Sequence, residues 1–412
     1  MIQALDTLDA RLARTRAALG WRRLAASALC ATALMAGCGG GSDGVGTGGT
    51  GNTDSFSSGR IAGFGSVIVN GVRFDDSAAR VSDDDDASHD RGDLKLGMTV
   101  DLIAGAVSTD ASTGASAAVA RSIQFHSEIK GPVEAVDAAA GTLQVLGQVV
   151  SVDDATVFDG VAGGLAGVAP GALVEVYALF DATNQLFKAT RIETKATLTE
   201  FRLRGLVANL DTTARTFTLG GATVSYAGLA ASALPALADG ALVKVKLQPA
   251  QQAGVWIATQ LKAGGRAVPD AARSEVEGIV TDLASLASFR VGGVPVNASG
   301  ASFDDGNAAI LANGARVEVH GAVVGGVLVA TRVEFKRPDG DDVEIELHGA
   351  IDSADAAAKT FVLRGQTVRW SDATRIDDGS GTSLVAGAQV EVRGSLATGG
   401  AQVVATRIKL AH

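Results

Sequence analysis

Between Val327 and Lys336 the chain reads VLVATRVEFK, apolar and polar positions alternating with a period of two. That is the pattern of a strand with one face in a core and the other toward water. On this period Val327, Val329, Thr331, Val333 and Phe335 share one face, and Leu328, Ala330, Arg332, Glu334 and Lys336 share the other. Upstream, SFRV and VPVN flank Gly292-Gly293. Paired glycines there predict a two-residue hairpin, because both turn positions favour positive φ. With EVEGIV before them and ARVEVH after, the segment holds five strands. The small-residue stretch NAAILANG, between the third and fourth, is long enough for a helical turn.

The same order recurs along the chain. GRIAGFGSVIVNGVRF, GPVEAVDAAAGTLQVLGQVVSV, GLVANLDTTARTFTLGGATVSY, GIVTDLASLASFRVGGVPVN and GAIDSADAAAKTFVLRGQTVRW open on Gly59, Gly131, Gly205, Gly278 and Gly349, spaced 72, 74, 73 and 71 residues apart. Each copy closes on a related strand: VARSI from Val119, ATRIE from Ala189, ATQLK from Ala258, ATRVE from Ala330 and ATRIK from Ala405. Fixed-period self-similarity is the mark of a tandem array. Five strands with a helical insert after the third predict an all-β chain of five small OB-like β-barrels, with a five-stranded half-sandwich as the alternative. The domains expected are 58–127, 128–199, 200–266, 274–337 and 344–412. A unit of about 70 residues without disulfides is marginal alone, so contacts between neighbours are expected to contribute.

Composition agrees with many turns and thin cores: 52 glycines in 412 residues, 4% aromatics and a net charge of −10. After residue 37 the balance is 30 Lys+Arg against 43 Asp+Glu. Such a field repels a phosphate backbone, and the chain has only 2 tyrosines for base stacking, so nucleic acid is excluded as a partner. The repeats resemble the bacterial family called domain of unknown function 5666, found in tandem behind lipoprotein signals. The first copy carries the resemblance most plainly, in GRIAGFGSVIVNGVRFD (59–75) and DLKLGMTVDL (93–102). The later copies keep the leading glycine, the central hairpin and an L..G..V.V strand such as Leu165 to Val176. The resemblance implies a barrel-like fold and an envelope address, and brings no catalytic residues.

The N-terminus differs from the rest. Trp21-Arg22-Arg23 precedes the apolar run LAASALCATALM, which ends in Ala36-Gly37-Cys38 and then GGGSDGVGTGGTGNTDSFSSG. The run is too short for a bilayer span of about 20 residues. A basic region, a short apolar region and small residues predict a secretory signal over 1–37. Leu34 to Cys38 resembles a bacterial lipoprotein signal, with Met35 where that pattern prefers Leu, Val or Ile. The resemblance makes Cys38 the lipid anchor, residues 38–57 the Gly/Ser-rich tether, and the outer membrane the address.

Candidate chemistry is sparse. The loop SDDDDASHDRGD gathers Asp83, Asp84, Asp85, Asp86, His89 and Asp90, oxygen donors of the kind Ca²⁺ takes, though without the spacing of an EF-hand; a solvated acidic surface is the competing reading. Phe74-Asp75-Asp76, Phe158-Asp159-Gly160, Phe303-Asp304-Asp305-Gly306 and Ile376-Asp377-Asp378-Gly379 repeat an apolar residue followed by Asp, which predicts a core plug and an Asx-type turn. His89, His126, His320, His348 and His412 show no paired metal spacing, and neither a nucleophile elbow nor a P-loop occurs. Trp256, Trp370, Tyr177 and Tyr226 are the aromatic candidates for stacking on sugar, each within or beside a strand. The expectation is a non-catalytic, lipid-anchored envelope protein whose barrels form an extended arm for binding or scaffolding. The alternative is a module for a small ligand, Ca²⁺ or a cell-wall or surface glycan; no other cofactor is expected.

Overall fold

In the computed structural model each repeat closes on itself. The second shows the pattern: Ile129–Asp137, Thr142–Val145 and Gln148–Ser151 form an antiparallel meander. The third strand then pairs in parallel with the fifth, Leu186–Lys195. The fourth, Leu173–Asp181, joins the fifth to the first. The circuit first-second-third-fifth-fourth-first leaves no open edge, and it is the OB connectivity. The other four repeats close the same way. The expected helical insert is a single 3₁₀ turn in each, for example Gly164–Gly167 and Ala308–Ile310. The structure describes residues 54–161, 163–266, 268–337, 344–397 and 399–410. The signal peptide, Cys38 and all but the last residues of the tether lie outside them.

In three of the five copies the leading glycine has a steric role. The turn between the second and third strands folds back over the first strand, where the glycine sits. A Cβ on Gly278 would meet Gly292 N at 2.5 Å, and one on Gly131 would meet the Leu146 side chain at 2.6 Å. The turns are as expected: Gly292 and Gly293 have φ of 58° and 88°, and Asn70-Gly71 and Arg364-Gly365 are also positive at both positions.

The closing ATR motif is a β-bulge. In the fourth barrel His320 faces Arg332 and the next residue, Gly321, faces Ala330, so Thr331 is the extra residue. Thr190, Thr259 and Thr406 hold the same place in the second, third and fifth barrels, and Arg121 in the first. The bulge corrects the strict alternation expected of this strand. Leu328 and Ala330 are buried before it and Val333 after it, while Val329 is 45% exposed. One inserted residue exchanges the two faces, so a period-two rule carried through the bulge puts half the strand on the wrong side.

Inside each barrel the core is small and dry. Phe217, Leu219, Val224 and Val245 fill the third barrel, and Phe361, Leu363, Val368 and Val392 the fifth, all at 1% exposure or less. Each such side chain contributes about 1.5–3 kcal/mol. Contacts between barrels add to this. Ser55–Ser58 of the first barrel extends the sheet of the fourth, pairing in parallel with Arg273 to Val276. Gly63 and Phe64 pair with Glu346 and Leu347 of the fifth, and Ile129 and Lys130 of the second with Leu203 and Arg202 of the third. Arg191 of the second barrel donates to Leu96 O of the first at 3.0 Å.

The described residues form one compact unit, so the extended arm expected from the repeats is corrected. The first barrel touches all four others and acts as a hub. The tether boundary shifts too: residues 55–57 belong to the first strand and are buried in the seam with the fourth barrel.

Candidate functional site

Outward-facing positions on the first, fourth and fifth strands are charged, and packing the barrels turns these faces inward. The result is a charged interior between barrels. Glu128, Arg191, Arg202, Arg204, Glu275, Glu277 and Glu318 are each at most 8% exposed. Burying such charges is costly unless they are paired, and here most are. Arg204 Nη1 donates to both Glu128 oxygens at 3.0 Å, and Arg316 Nη2 lies 2.5 Å from Glu277 Oε1. Burial raises the Glu277 carboxyl, but Arg316 and Arg60 outweigh it and hold the group at about 2. Burial likewise works against the Glu128 carboxylate, and Arg204 and Arg266 keep it below its ordinary value. His126, sealed under this network, is driven well down by burial and then by Arg266 and Arg204, so it is neutral at pH 7.

The acidic loop belongs to this interior. Asp84 and Asp85 reach the third barrel, where the Arg202 guanidinium engages both carboxylates. Lys244 pairs with Asp84, and Lys246 (2.9 Å) and Lys262 (3.3 Å) pair with Asp85. Asp83 shapes the turn instead, its Oδ1 accepting from Asp85 N and Ala87 N at 2.9 Å and its Oδ2 lying 3.4 Å from His89 Nε2. Asp86 accepts from Gln124 Nε2 at 3.2 Å. Asp90 is exposed, its N–H donating to Asp93. The six predicted residues therefore split: two latch barrel to barrel, and the others build or border the loop.

The recurrent Asp has a second use that local sequence does not suggest. Asp159, Asp304 and Asp377 each lie beside the arginine of the ATR motif, Arg191, Arg332 and Arg407. The next positions, Gly160, Asp305 and Asp378, carry φ of 74°, 57° and 61°, as a turn there requires. In the first copy Phe74 and Asp75 end the third strand, Val72–Asp75, and there the expected Asx turn forms, Ser77 N donating to Asp75 Oδ1 at 3.0 Å; Asp159, Asp304 and Asp377 spend their carboxylates on the arginines instead.

Among the described residues, two other groups bring carboxylates and a histidine within metal-ligand reach: Glu275, Glu318 and His320, and Glu346, His348 and Glu391. They occupy the same strands of the fourth and fifth barrels. Cations of the chain already sit on both. Arg332 Nη2 is 2.7 Å from His320 Nε2 and Lys336 Nζ is 2.8 Å from Glu318, while Arg73 engages His348 and Glu346. The four aromatic candidates for sugar stacking are 1–6% exposed: Trp256, Trp370 and Tyr226 pack in barrel cores, and Tyr177 packs against the first barrel's cluster.

Two spaces open into the charged interior. A groove of about 520 Å³ is bordered by the first, fourth and fifth barrels and lined by Arg73, Arg273, Glu275, Glu318 and Glu346 among others. A cavity of about 490 Å³ lies where the first four barrels meet. Its wall combines Leu179, Phe180, Leu206 and Leu242 with Arg204 and Glu128. That volume and mix suit a small ligand.

A family model described as domain of unknown function (DUF5666) matches residues 130–193, 204–262, 277–334 and 348–409, more than half of the chain. The chain belongs to this family. The matched DUF5666 segments are the second to fifth barrels. The sequence resemblance was plainest in the first copy, so its weight moves to the other four. The first copy, the hub, carries the acidic latch between its third and fourth strands. No curated protein matches the chain.

Proposed function

We propose that this DUF5666 protein is a non-catalytic, lipid-anchored component of the bacterial cell envelope, held at the outer membrane through Cys38. Its five-barrel body serves as a compact platform for binding or scaffolding an envelope partner. The observation that carries this is the order of parts: a short apolar segment ending in Leu34 to Cys38, a glycine-rich stretch, then one compact unit. One acyl chain binds a membrane only marginally, whereas several hold a folded body there. Labelling cells with an alkyne fatty acid tests the anchor. Label on the wild type, absent from Cys38→Ser together with its membrane fractionation, is the expected result; an unlabelled wild type removes the proposal. In-cell crosslinking of the lipidated protein then identifies the partner.

The cavity between the first four barrels favours a second reading, a module for a small ligand. The calcium form of it requires Arg202 and three lysines to release Asp84 and Asp85. The glycan form has no exposed tryptophan or tyrosine to stack on among the described residues. Calorimetry of the full chain with Ca²⁺, and with the D84N/D85N variant, decides the calcium form.

A further inference from the structure

A third, smaller cavity, about 180 Å³, lies where the first, second and fourth barrels meet. Arg60, Lys188, Arg316 and Lys336 line it, and Asp153 is the acidic residue in its wall. Arg316 and Lys336 have partners, Glu277 for one and Glu318 and Glu334 for the other. Arg60 and Lys188, both half-buried, form no hydrogen bond or ion pair with any described side chain, whereas the buried arginines Arg191, Arg202 and Arg204 are paired. Asp153 makes no ion pair with either cation, its Oδ1 accepting from Ala155 N and Thr156 Oγ1 in its own turn. Burial, followed by the nearby Arg316 guanidinium, lowers the pKa of Arg60, while Glu277 and Asp153 oppose this. The carboxylates near Arg60 act on it through space, and neither Arg60 nor Lys188 has a hydrogen-bonded counter-ion.

An independent observation points the same way. Thr190 also lines this cavity and is 4% exposed, and its Oγ1 has no hydrogen-bond partner. Two of its three bulge equivalents behave differently: Thr331 Oγ1 donates to His320 O at 3.2 Å and Thr406 Oγ1 to Arg393 O at 3.0 Å. The second barrel leaves this hydroxyl unused at the place where two unpaired cations converge. An unmade bond on a buried hydroxyl is destabilising, and a ligand oxygen removes that cost.

From this juxtaposition we infer that the junction of the first, second and fourth barrels binds a compact oxyanion of the phosphate type, held by Arg60 and Lys188 and by the Thr190 hydroxyl. The site exists only when the three barrels are docked, so the anion also fastens the first barrel to the second and fourth. It stands whether or not Cys38 is acylated. A free phosphate and the head of a phosphate monoester present the same chemistry here.

The test is calorimetry and thermal unfolding of the full chain with sodium phosphate and with glycerol 3-phosphate, against sodium chloride at equal ionic strength. One site per chain and a rise in Tm with phosphate are expected. Arg60→Gln and Lys188→Gln each weaken binding tenfold or more, as loss of a charged hydrogen bond implies. Thr190→Val, which keeps shape and loses the hydroxyl, weakens it several-fold. Lys409→Gln, remote from the cavity, leaves it unchanged. Tighter binding of glycerol 3-phosphate identifies an ester head group as the source, and tighter binding of inorganic phosphate identifies the free ion. If Arg60→Gln fails to fold, Lys188→Gln and Thr190→Val decide. Absence of phosphate binding at millimolar concentration, or binding indifferent to all three changes, overturns the inference.

Discussion

Replacing Arg202 by methionine removes the group that holds Asp84 and Asp85 against the third barrel. The Arg202 and Asp84 side chains are 4% and 8% exposed. Breaking a buried pair by removing one partner costs about 3–5 kcal/mol, because a charge is left without compensation. Lys244 and Lys246, at 18% and 19% exposure, remain beside the two carboxylates. That places the loss at the low end, about 3 kcal/mol. For a body of this size unfolding as a unit, the specific unfolding entropy converts this into a fall in Tm of about 4 °C. The assay is thermal and urea unfolding of the full chain, with R202M, D84N/D85N and the triple variant side by side. D84N/D85N should lose at least as much as R202M, because Arg202, Lys244 and Lys262 then lose their counter-ions, and the triple variant should lose less than the two summed, because the shared contact is counted once. Because the pair is shielded from solvent, raising salt should change the R202M loss little. An R202M loss below about 0.5 kcal/mol, the size of an ordinary surface change, or a triple variant as unstable as the sum of its parts, refutes the latch.

Acid should unfold the body through its buried carboxylates. Glu175 and Glu277 are held at about 2 against an ordinary 4.5, so the stability they supply is full above pH 4.5 and is lost as the pH falls toward 2. Each contributes on the order of 3 kcal/mol across that window. Urea midpoints should drop between pH 5 and 3 less steeply in Glu277→Gln than in the wild type, and equal slopes would count against the assignment. Gly147, with φ of 70°, has its would-be Cβ 2.6 Å from Gly221 C in the facing turn of the third barrel. Gly147→Val should cost about 2 kcal/mol or more in thermal unfolding. Gly171→Ala, at φ 87° with open space around it, should cost about 1 kcal/mol. Deleting Thr331 removes the bulge and turns Leu328 and Ala330 out of the fourth barrel; loss of cooperative folding is expected by circular dichroism, and a stable deletion variant would refute the role given to that residue.

Much of the fold was legible because its causes are local. Period-two alternation, Gly292-Gly293 and the 71–74 residue spacing of the leading glycines depend only on backbone geometry and on which side chains avoid water, so they specified five closed barrels and their hairpins. The apolar run before Cys38 announced itself the same way. Other features repeated visibly without disclosing their use. The ATR motif recurs in the sequence, but only the register of the fourth and fifth strands makes its threonine a bulge, and only that bulge explains why Leu328 and Ala330 are inside.

The candidate site was nearly illegible, because it belongs to no single repeat. Arg60, Lys188 and Arg316 come from three barrels, and Asp84 meets Arg202 across 118 residues of sequence. Alternation predicts that such charges face outward, which is correct for each barrel taken alone. Docking turned those outward faces into an interior, where charges must be paired or must await a partner. The sequence by itself determined the barrel, since its hydrophobic pattern and turns act over a few residues. The tertiary structure alone decided the hub, the latch and the oxyanion cavity, since long-range packing sets which charged faces lose their water.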